Sequence, residues 1–297
     1  MSELQKLFPF KQGKVRDIYD LGDKLLIISS DRISAFDYIL PCFIPDKGKI
    51  LSQISKFWFK KTKNIIENHF ITDKVSDFPK VFRPFKKELN LRSMLVKKAE
   101  KIPFECIVRG YISGSGWKDY KKNGKICGIN LPENLLESEK FSKPIFTPST
   151  KAETGHDENI GFSKLKDTLG NELANKIKEV SIKIYNYGHN LLLEKGIILS
   201  DTKFEFGLIN GKLLLIDEIL TPDSSRFWDV SSYKKGVSQK NYDKQFVRDY
   251  LLSKGIAKAK NIDRNSEILQ LPENIIAKTR EKYLQAFQKI TGKNSLL

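Results

Sequence analysis

Two apolar segments joined by Asn210-Gly211 constrain the fold of this chain more than any other feature. The segment FEFGLI precedes the dipeptide and KLLLID follows it. Asn-Gly between apolar strands is the strongest short-range signal for a β-hairpin. Glu205 lies inside the first segment and Asp217 ends the second. We therefore predict a hairpin in which carboxylates interrupt two apolar strands.

The length of the turn decides where these two carboxylates point. In a two-residue turn, Ile209 pairs with Lys212, and Glu205 and Asp217 fall on opposite faces of the sheet. In a three-residue turn, Leu208 pairs with Lys212, the carboxylates share a face, and their Cβ atoms lie about 7 Å apart. One divalent cation can bridge that span, and oxygen ligands without His or Cys favour Mg²⁺ holding nucleotide phosphates. Alternatively, the acids mark the solvent side of an amphipathic hairpin.

Composition excludes several classes of protein. The chain has 297 residues, of which 40% are hydrophobic, so it can bury a sizeable core. No apolar run approaches the roughly 20 residues of a membrane span, and the first residues lack the apolar region of a signal peptide. The three cysteines are too far apart for a disulfide framework or a zinc site. We therefore expect a cytoplasmic protein with no membrane partner.

The formal charge of +16 raises the question of nucleic-acid binding. Only nine of the 52 basic residues are arginine, and the lysines are scattered over every segment, as is typical of a solvated surface. An excess of positive charge also steers small anions towards a protein. We therefore expect small anionic substrates and no nucleic acid.

The apolar periodicity predicts an α+β fold, with a strand-rich N-terminal domain (1–115) and a helix-rich C-terminal domain (116–297) that contains the hairpin. A cleft between the two would be the natural ligand site. The main predicted strands are 15–21, 24–30, 92–99 and 104–112, and the predicted helices are 52–68, 171–195, 241–253 and 273–290. Residues 114–128 are predicted as a polar connection, and residues 147–160 as a surface loop or a lid over a site.

Two further groups of residues are consistent with an anion site. Gly13, Lys14 and Arg16 begin the first predicted hairpin, where a glycine permits close approach of a polyphosphate and the cations can neutralise it. Glu105 and Arg109 interrupt an apolar strand that runs into a turn rich in glycine and serine, whose N–H groups could bind an anion. The alternatives are a solvated strand end for the first group and an internal salt bridge for the second.

Six motifs, in order over about residues 10–230, resemble the SAICAR synthetase family, the phosphoribosylaminoimidazole-succinocarboxamide synthases. They are GKVRDIYD, SDRISAFD, PFECIVRGYISGSGW, TPSTKAETGHDENI, DTKFEFG and LIDEILTPDSSRFW. The resemblance implies an ATP- and Mg²⁺-dependent ligase of purine biosynthesis. Such an enzyme joins the carboxylate of CAIR, 5-amino-1-(5-phosphoribosyl)imidazole-4-carboxylate, to L-aspartate and gives SAICAR, ADP and phosphate. It also implies a nucleotide site similar to those of kinases and ATP-grasp enzymes.

The resemblance further implies roles for single residues. The metal ligands would be Glu205 and Asp217. The residues at ATP would be Gly13, Lys14, Arg16, Glu105 and Val108, the last two on a strand beside adenine. The residues at the transferred phosphoryl group would be Asp201 and Lys203. The residues at substrate carboxylates or the ribose phosphate would be Arg109, Ser115 and Arg226, with Ser34 and Asp37 on the CAIR side. Asp201, Lys203 and Arg226 would be the catalytic residues.

Charge neutralisation is the chemistry that such a ligation needs most. ATP must convert the carboxylate into an acyl phosphate before an amine can attack it, and both steps bring anions together. A small-molecule kinase would use the same ATP and Mg²⁺ site with an alcohol acceptor. An RNA-binding protein would need exposed aromatic residues among its cations, whereas Phe and Tyr here mostly fall on apolar faces. We expect CAIR, L-aspartate and ATP as ligands and a monomeric chain.

Overall fold

The computed structural model of the chain describes residues 2–36, 38–151, 158–242, 244–256, 262–263 and 266–296. Its helices are α1 (Ser2–Leu7), α2 (Lys47–Thr62), α3 (Lys86–Leu89), α4 (Gly114–Asn123), α5 (Phe162–Leu169), α6 (Asn171–Leu193), α7 (Gln245–Ser253) and α8 (Glu273–Thr291). Its strands are β1 (Phe10–Gln12), β2 (Arg16–Asp20), β3 (Lys24–Ser29), β4 (Arg32–Ala35), β5 (Tyr38–Phe43), β6 (Phe70–Thr72), β7 (Ser93–Lys97), β8 (Glu100–Lys101), β9 (Phe104–Tyr111), β10 (Lys125–Ile126), β11 (Ile129–Asn130), β12 (Lys140–Phe146), β13 (Ser149–Thr150), β14 (Ile197–Ile209), β15 (Lys212–Ile216) and β16 (Ser225–Asp229).

Two antiparallel sheets organise this α+β fold. The five-stranded sheet near the N terminus has the order β1-β2-β3-β7-β6. The seven-stranded sheet is built around β14, which pairs with β9, β15, β16 and β8. Because β9 and β14 lie side by side, residues nearly a hundred positions apart in the sequence meet at the centre of this sheet.

The main hydrophobic core lies between the seven-stranded sheet and α6. Ile177, Ile184 and Leu192 recur at helical spacing on α6, and all three are fully buried. The same cluster continues to Trp58 of α2 and Phe287 of α8. Apolar contacts therefore join both halves of the chain, and the domain boundary near residue 115 stays a prediction. None of the described helices is both long enough and apolar enough to cross a bilayer.

Most of the predicted elements are present. The first hairpin is confirmed by the pairing of β2 with β3. The helices predicted over 171–195 and 273–290 are α6 and α8, whose ends differ by no more than two residues. The helix predicted from residue 241 begins later, at Gln245 of α7.

Two predictions about helices were wrong, and glycine explains both. Residues 114–128 are not merely a polar connection, because they contain α4. The helix predicted over 52–68 begins five residues earlier, at Lys47, and already ends at Thr62. A Cβ on Gly48, in its first turn, would lie 2.2 Å from the carbonyl oxygen of Ser29. Glycine is thus required by close packing, although it weakens the sequence signal for a helix.

Candidate active site

Alternation along β14 separates a charged face from an apolar one. Asp201, Lys203 and Glu205 occupy every second position and share one face of the strand. Phe204 and Phe206 point the other way and are fully buried in the core. The carboxylates that interrupt this apolar strand therefore belong to the face that carries the site.

The neighbouring strand β9 adds one cation, Arg109, and one carboxylate, Glu105, to the same face. Arg109 pairs in register with Asp201, and Ile107 pairs with Lys203. The Lys203 ammonium lies 2.5 Å from the carboxylate of Glu105. Burial opposes the charge of Lys203, but attraction by Glu105 outweighs it and raises the pKa of Lys203 above its usual value. Lys203 is therefore a fixed, fully charged cation.

Asp201 holds two arginines that come from different strands. Its Oδ2 accepts hydrogen bonds from Nη1 of Arg226 at 2.5 Å and from Nη1 of Arg109 at 3.5 Å. Arg109 also donates to the hydroxyls of Thr147 at 3.0 Å and Ser115 at 3.1 Å. Burial lowers the pKa of Arg109, although Asp201 opposes that shift. The result is a pair of oriented guanidinium groups of the kind that bind carboxylate or phosphate.

The glycine-rich start of α4 makes room for these arginines. A Cβ on Gly114, whose φ is +56°, would lie 2.3 Å from Nη2 of Arg226. A Cβ on Gly116 would lie 3.3 Å from Cδ of Arg109. Ser113, just before the helix, donates to Asp201 at 3.1 Å. The N-terminus of α4, which favours anions, therefore lies directly beside both guanidinium groups.

Three cavities open around these side chains and share Arg248 of α7 as a lining residue. The first, of about 170 Å³, is lined by residues that include Arg109, Lys203 and Arg226. The second, of about 350 Å³, is lined by Lys14, Ser34, Ala35, Phe36, Lys244 and Arg248. The third, of about 390 Å³, includes Ser115 and Arg226. Cations outnumber carboxylates in the first cavity, which therefore suits an anionic ligand.

The turn between β1 and β2 forms a second group of charges. Arg16 makes ion pairs with Asp217 and, at 2.5 Å, with Glu218. Burial by itself would lower the pKa of Arg16, but these two carboxylates raise it. Arg32 donates to the carbonyl oxygens of Gly13 and Lys14, each at 3.2 Å. The turn is thus fastened in place with Lys14 at its tip.

The hairpin has the two-residue turn. Ile209 pairs with Lys212, and Asn210 and Gly211 have φ of 50° and 76°, so the three-residue alternative is wrong. The strand alternation from which opposite faces were expected does not extend to Asp217. Asp217 follows the last residue of β15 and has φ of 65°, which takes it out of the strand alternation.

Glu205 and Asp217 consequently share electrostatic partners. Lys151 pairs with Glu205 and also attracts Asp217. Lys203 interacts with both carboxylates as well. Burial would raise the pKa of Asp217, but the positive charges of Arg16 and Lys151 lower it well below its usual value. Both carboxylates therefore interact with the same two lysines and belong to one site.

These two carboxylates fit a hard cation better than a transition metal. Within the described ranges, no cluster of three or more His, Cys, Asp or Glu side chains could hold a metal by itself. Mg²⁺ usually takes one or two protein carboxylates and completes its shell with phosphate and water. Glu205 forms ion pairs with Lys151 and with Lys101, whose Nζ lies 3.0 Å from Oε2 of Glu205. These two lysines supply the kind of positive charge that such a cation would supply.

Not every predicted site residue lies on the charged face. Val108 alternates with Ile107 and Arg109 and is buried in the main core, so its side chain faces away from the cavities. Ser34 lines the second cavity, next to Lys14. Asp37 and residues 152–157 lie outside the described residues. The segment 147–160 was expected to be a loop, but Ser149–Thr150 within it form β13 and pair with β9.

Sequence reasoning missed several charged residues of the site. They are Lys47, Lys101, Lys151, Asp223, Lys244 and Arg248. Lys244 and Arg248 stand one helical turn apart at the start of α7, a spacing that could have indicated two cations on one face. Lys101 and Lys151 are brought to Glu205 only by strand pairing, for which the local sequence carries no signal.

Comparison with known proteins gives a consistent result. The family model described as SAICAR synthetase matches residues 9–265. The phosphoribosylaminoimidazole-succinocarboxamide synthase of Thermodesulfovibrio yellowstonii is 56% identical over 282 residues, which cover 95% of this chain and 94% of that protein. The enzyme of the same name from Geobacter sulfurreducens is 56% identical over 283 residues, with the same coverage.

Solved structures agree with the sequence relatives. The SAICAR synthase of Saccharomyces cerevisiae, complexed with SAICAR, has a TM-score of 0.86 and 41% identity, covering 97% of this chain and 96% of that one. A SAICAR synthetase in complex with ADP has a TM-score of 0.69 and 26% identity, covering 96% and 99%. Because the family match spans most of the chain and relatives above half identity cover nearly all of it, the chain belongs to the SAICAR synthetase family and is an ATP-dependent carbon–nitrogen ligase.

Proposed function

We propose that the cleft formed by the three cavities is where the chain joins the carboxylate of CAIR to L-aspartate, consuming ATP and releasing SAICAR, ADP and phosphate. The observation that carries this proposal is the convergence of Arg109 and Arg226 on Asp201 at one end of a row of charges that ends at Glu205. The arginine end suits anionic substrates, and the carboxylate end suits a nucleotide with its metal. The named activity of the relatives supports the same reaction.

Two chemical steps have to occur in this cleft. An oxygen of the CAIR carboxylate attacks the γ-phosphorus of ATP, giving an acyl phosphate and ADP. The aspartate amine then attacks the acyl carbon, the bond to phosphate breaks, and the amine loses a proton. Arg109 and Arg226 would hold the anionic substrates, with Ser115 supporting Arg109. Lys203 would stabilise the phosphoryl group in transfer, because its charge is fixed by Glu105.

The nucleotide would lie along the other half of the row. Its phosphates would contact Gly13, Lys14 and Arg16. Arg32 holds the turn between β1 and β2 in place by hydrogen bonds to the carbonyl oxygens of Gly13 and Lys14. Glu205 and Asp217 would hold Mg²⁺, which neutralises phosphate charge when bound. Glu105, on β9, would lie near the adenine. Ser34 and Asp37 would lie on the CAIR side.

A kinase would share the nucleotide half of this site but not the arginine half. Two guanidinium groups held by a buried aspartate suit an acceptor that carries negative charge, whereas a neutral alcohol acceptor needs no guanidinium group to bind. The named relatives favour the ligase as well.

ADP release by the purified protein tests the proposal. ATP and Mg²⁺ are supplied, CAIR and L-aspartate are added separately and together, and EDTA serves as the control. We expect rapid release only with both substrates, SAICAR formed in equal amount, and loss of turnover with EDTA. Release with neither substrate, or with an alcohol acceptor, would contradict the ligation and support the kinase.

We also propose that the chain works in the cytoplasm, where ATP and L-aspartate are freely available. We further propose that it is a monomer. Light scattering of the purified protein should give a mass near 34.2 kDa. Twice that mass would contradict the monomer without affecting the assignment of the reaction.

A further inference from the structure

Asp223 lines the first cavity and accepts hydrogen bonds from residues of two helices. Lys47 of α2 donates to its Oδ2 at 2.6 Å, and Tyr283 of α8 donates to its Oδ1 at 2.5 Å. The Lys47 ammonium also stands 5.5 Å from the centre of the Tyr283 ring. Residues from three distant parts of the chain thus meet at one carboxylate.

The ion pair between Lys47 and Asp223 is buried more deeply than an ordinary surface ion pair. The side chain of Lys47 is 0% exposed and that of Asp223 is 7% exposed. Burial would raise the pKa of Asp223, but Lys47 and Lys244 lower it below its usual value. Breaking one contact would leave a buried charge without compensation, which is expensive in a protein interior.

Asp223 belongs to the short loop that leads into β16, directly before the cavity residues Ser224, Ser225 and Arg226. The carbonyl of Ser224 accepts a hydrogen bond from the backbone of Lys203 at 2.9 Å. A shift of Asp223 would therefore move the loop against β14 and change the direction of Arg226. An Asp223 without Lys47 would also repel the anions that the cavity suits.

We propose that Lys47 and Tyr283 are positioning residues for the ligation, because they fix and neutralise Asp223 and so hold the segment 221–226 in the geometry that binds the anionic substrates. This inference rests on the proposed function of the cleft. It also gives α8 a role in the reaction, although α8 begins beyond residue 265, where the family match ends.

Tyr283→Phe tests the inference, because it removes one hydroxyl and keeps the buried ring. The chain offers a matched control in Tyr242→Phe. Tyr242 donates to Asp229 at 2.5 Å, and Asp229 is also paired with a lysine, Lys289 of α8, at 2.9 Å. Neither Tyr242 nor Asp229 is among the residues that line the three cavities. The two variants thus remove the same kind of tyrosine–aspartate bond at and away from the site.

We expect Tyr283→Phe to raise KM for CAIR or L-aspartate by about fivefold or more, while KM for ATP changes by less than about twofold. Tyr242→Phe should leave all three KM values within about twofold of wild type. In an Asp223→Ala background, Tyr283→Phe should add much less than it does alone, because the acceptor of its hydrogen bond is already absent. Urea unfolding of each variant separates these effects from loss of folded protein.

Two results would overturn the inference. One is that Tyr283→Phe changes the KM values no more than Tyr242→Phe does, while its urea unfolding matches that of wild type. The other is an equal rise in KM for ATP and for the anionic substrates, which indicates general damage. If wild-type ADP release needs neither CAIR nor L-aspartate, the proposed function itself fails, and that result is distinct from both.

Discussion

Arg226 donates a hydrogen bond to Asp201 at 2.5 Å across the paired strands β16 and β14. Lys203 lies two residues further along β14, on the same face, and Glu205 two residues beyond it. A single strand therefore carries the contact that orients an arginine, the cation proposed for the phosphoryl group and the proposed metal ligand.

Arg226→Ala should lower kcat/KM by at least about 30-fold, because a charged contact to the transition state contributes about 2 kcal/mol or more. Arg226→Lys should restore only part of the loss, since an ammonium group cannot donate in the forked geometry. Steady-state ADP release measures both variants. Arg83→Ala, at an exposed position, is the control and should stay near wild type. Turnover of Arg226→Ala within about threefold of wild type would contradict the role.

Gly114→Ala should damage activity more than stability. The new Cβ would lie 2.3 Å from the Arg226 guanidinium and push it away from Asp201. Gly124→Ala, at the other end of α4, is the matched control: its φ is +70° and nothing lies within 4 Å of the added Cβ. Each change should cost roughly 1–2 kcal/mol in unfolding free energy from backbone strain.

Only Gly114→Ala should also lower kcat/KM, by about tenfold or more. Chemical denaturation and ADP release, measured on the same preparations, separate the two effects. Equal activity of the two variants would show that Arg226 does not need its present position.

Glu205→Gln should lower kcat/KM by about 30-fold or more and raise the Mg²⁺ concentration needed for half-maximal rate. The side chain keeps its shape, but Lys101 and Lys151 lose the carboxylate between them. Glu67→Gln is the control, because Glu67 is a half-exposed carboxylate that pairs with Lys212 on the surface. A Mg²⁺ titration of both variants checks the prediction. An unchanged titration for Glu205→Gln would rule out Glu205 as a ligand.

Acid should weaken the contribution of His189 to stability. Burial, helped by Lys140, lowers the pKa of His189, while the carbonyl of Leu199 opposes the shift. The unfolded chain therefore binds a proton more readily than the folded one, so this contribution is complete above about pH 6.5 and declines as the pH falls below it. Urea unfolding of wild type and His189→Gln at several pH values measures the difference. The stability advantage of wild type should shrink between pH 7 and 5; a constant difference would contradict the shift.

Local patterns predicted the elements well where side chains alternate or recur cleanly. The Asn210-Gly211 turn, the long helix α6 and the alternation of Asp201, Lys203 and Glu205 are readable from neighbours in sequence. The sequence did not predict α4, because glycines weaken the signal for a helix. Gly114 is required by the close approach of Arg226, which is distant in sequence, and only the folded chain shows this contact. The resemblance implies that the strand from Glu105 to Val108 lies beside adenine. Only the pairing of β9 with β14 shows that the side chains of Ile107 and Arg109 face the cavity and that the side chain of Val108 does not.

By itself the sequence determined the α+β class, the hairpin and the resemblance that implies an ATP-dependent ligase, because these depend on spacing within short segments and on motif order. Tertiary structure alone decided that Asp217 leaves the strand alternation and joins Glu205, that Lys101 and Lys151 neutralise Glu205, and that Lys47 and Tyr283 meet at Asp223. Such contacts join residues up to 176 positions apart in the sequence, and their energies depend on burial and distance. Neither quantity is encoded in any local stretch of the chain.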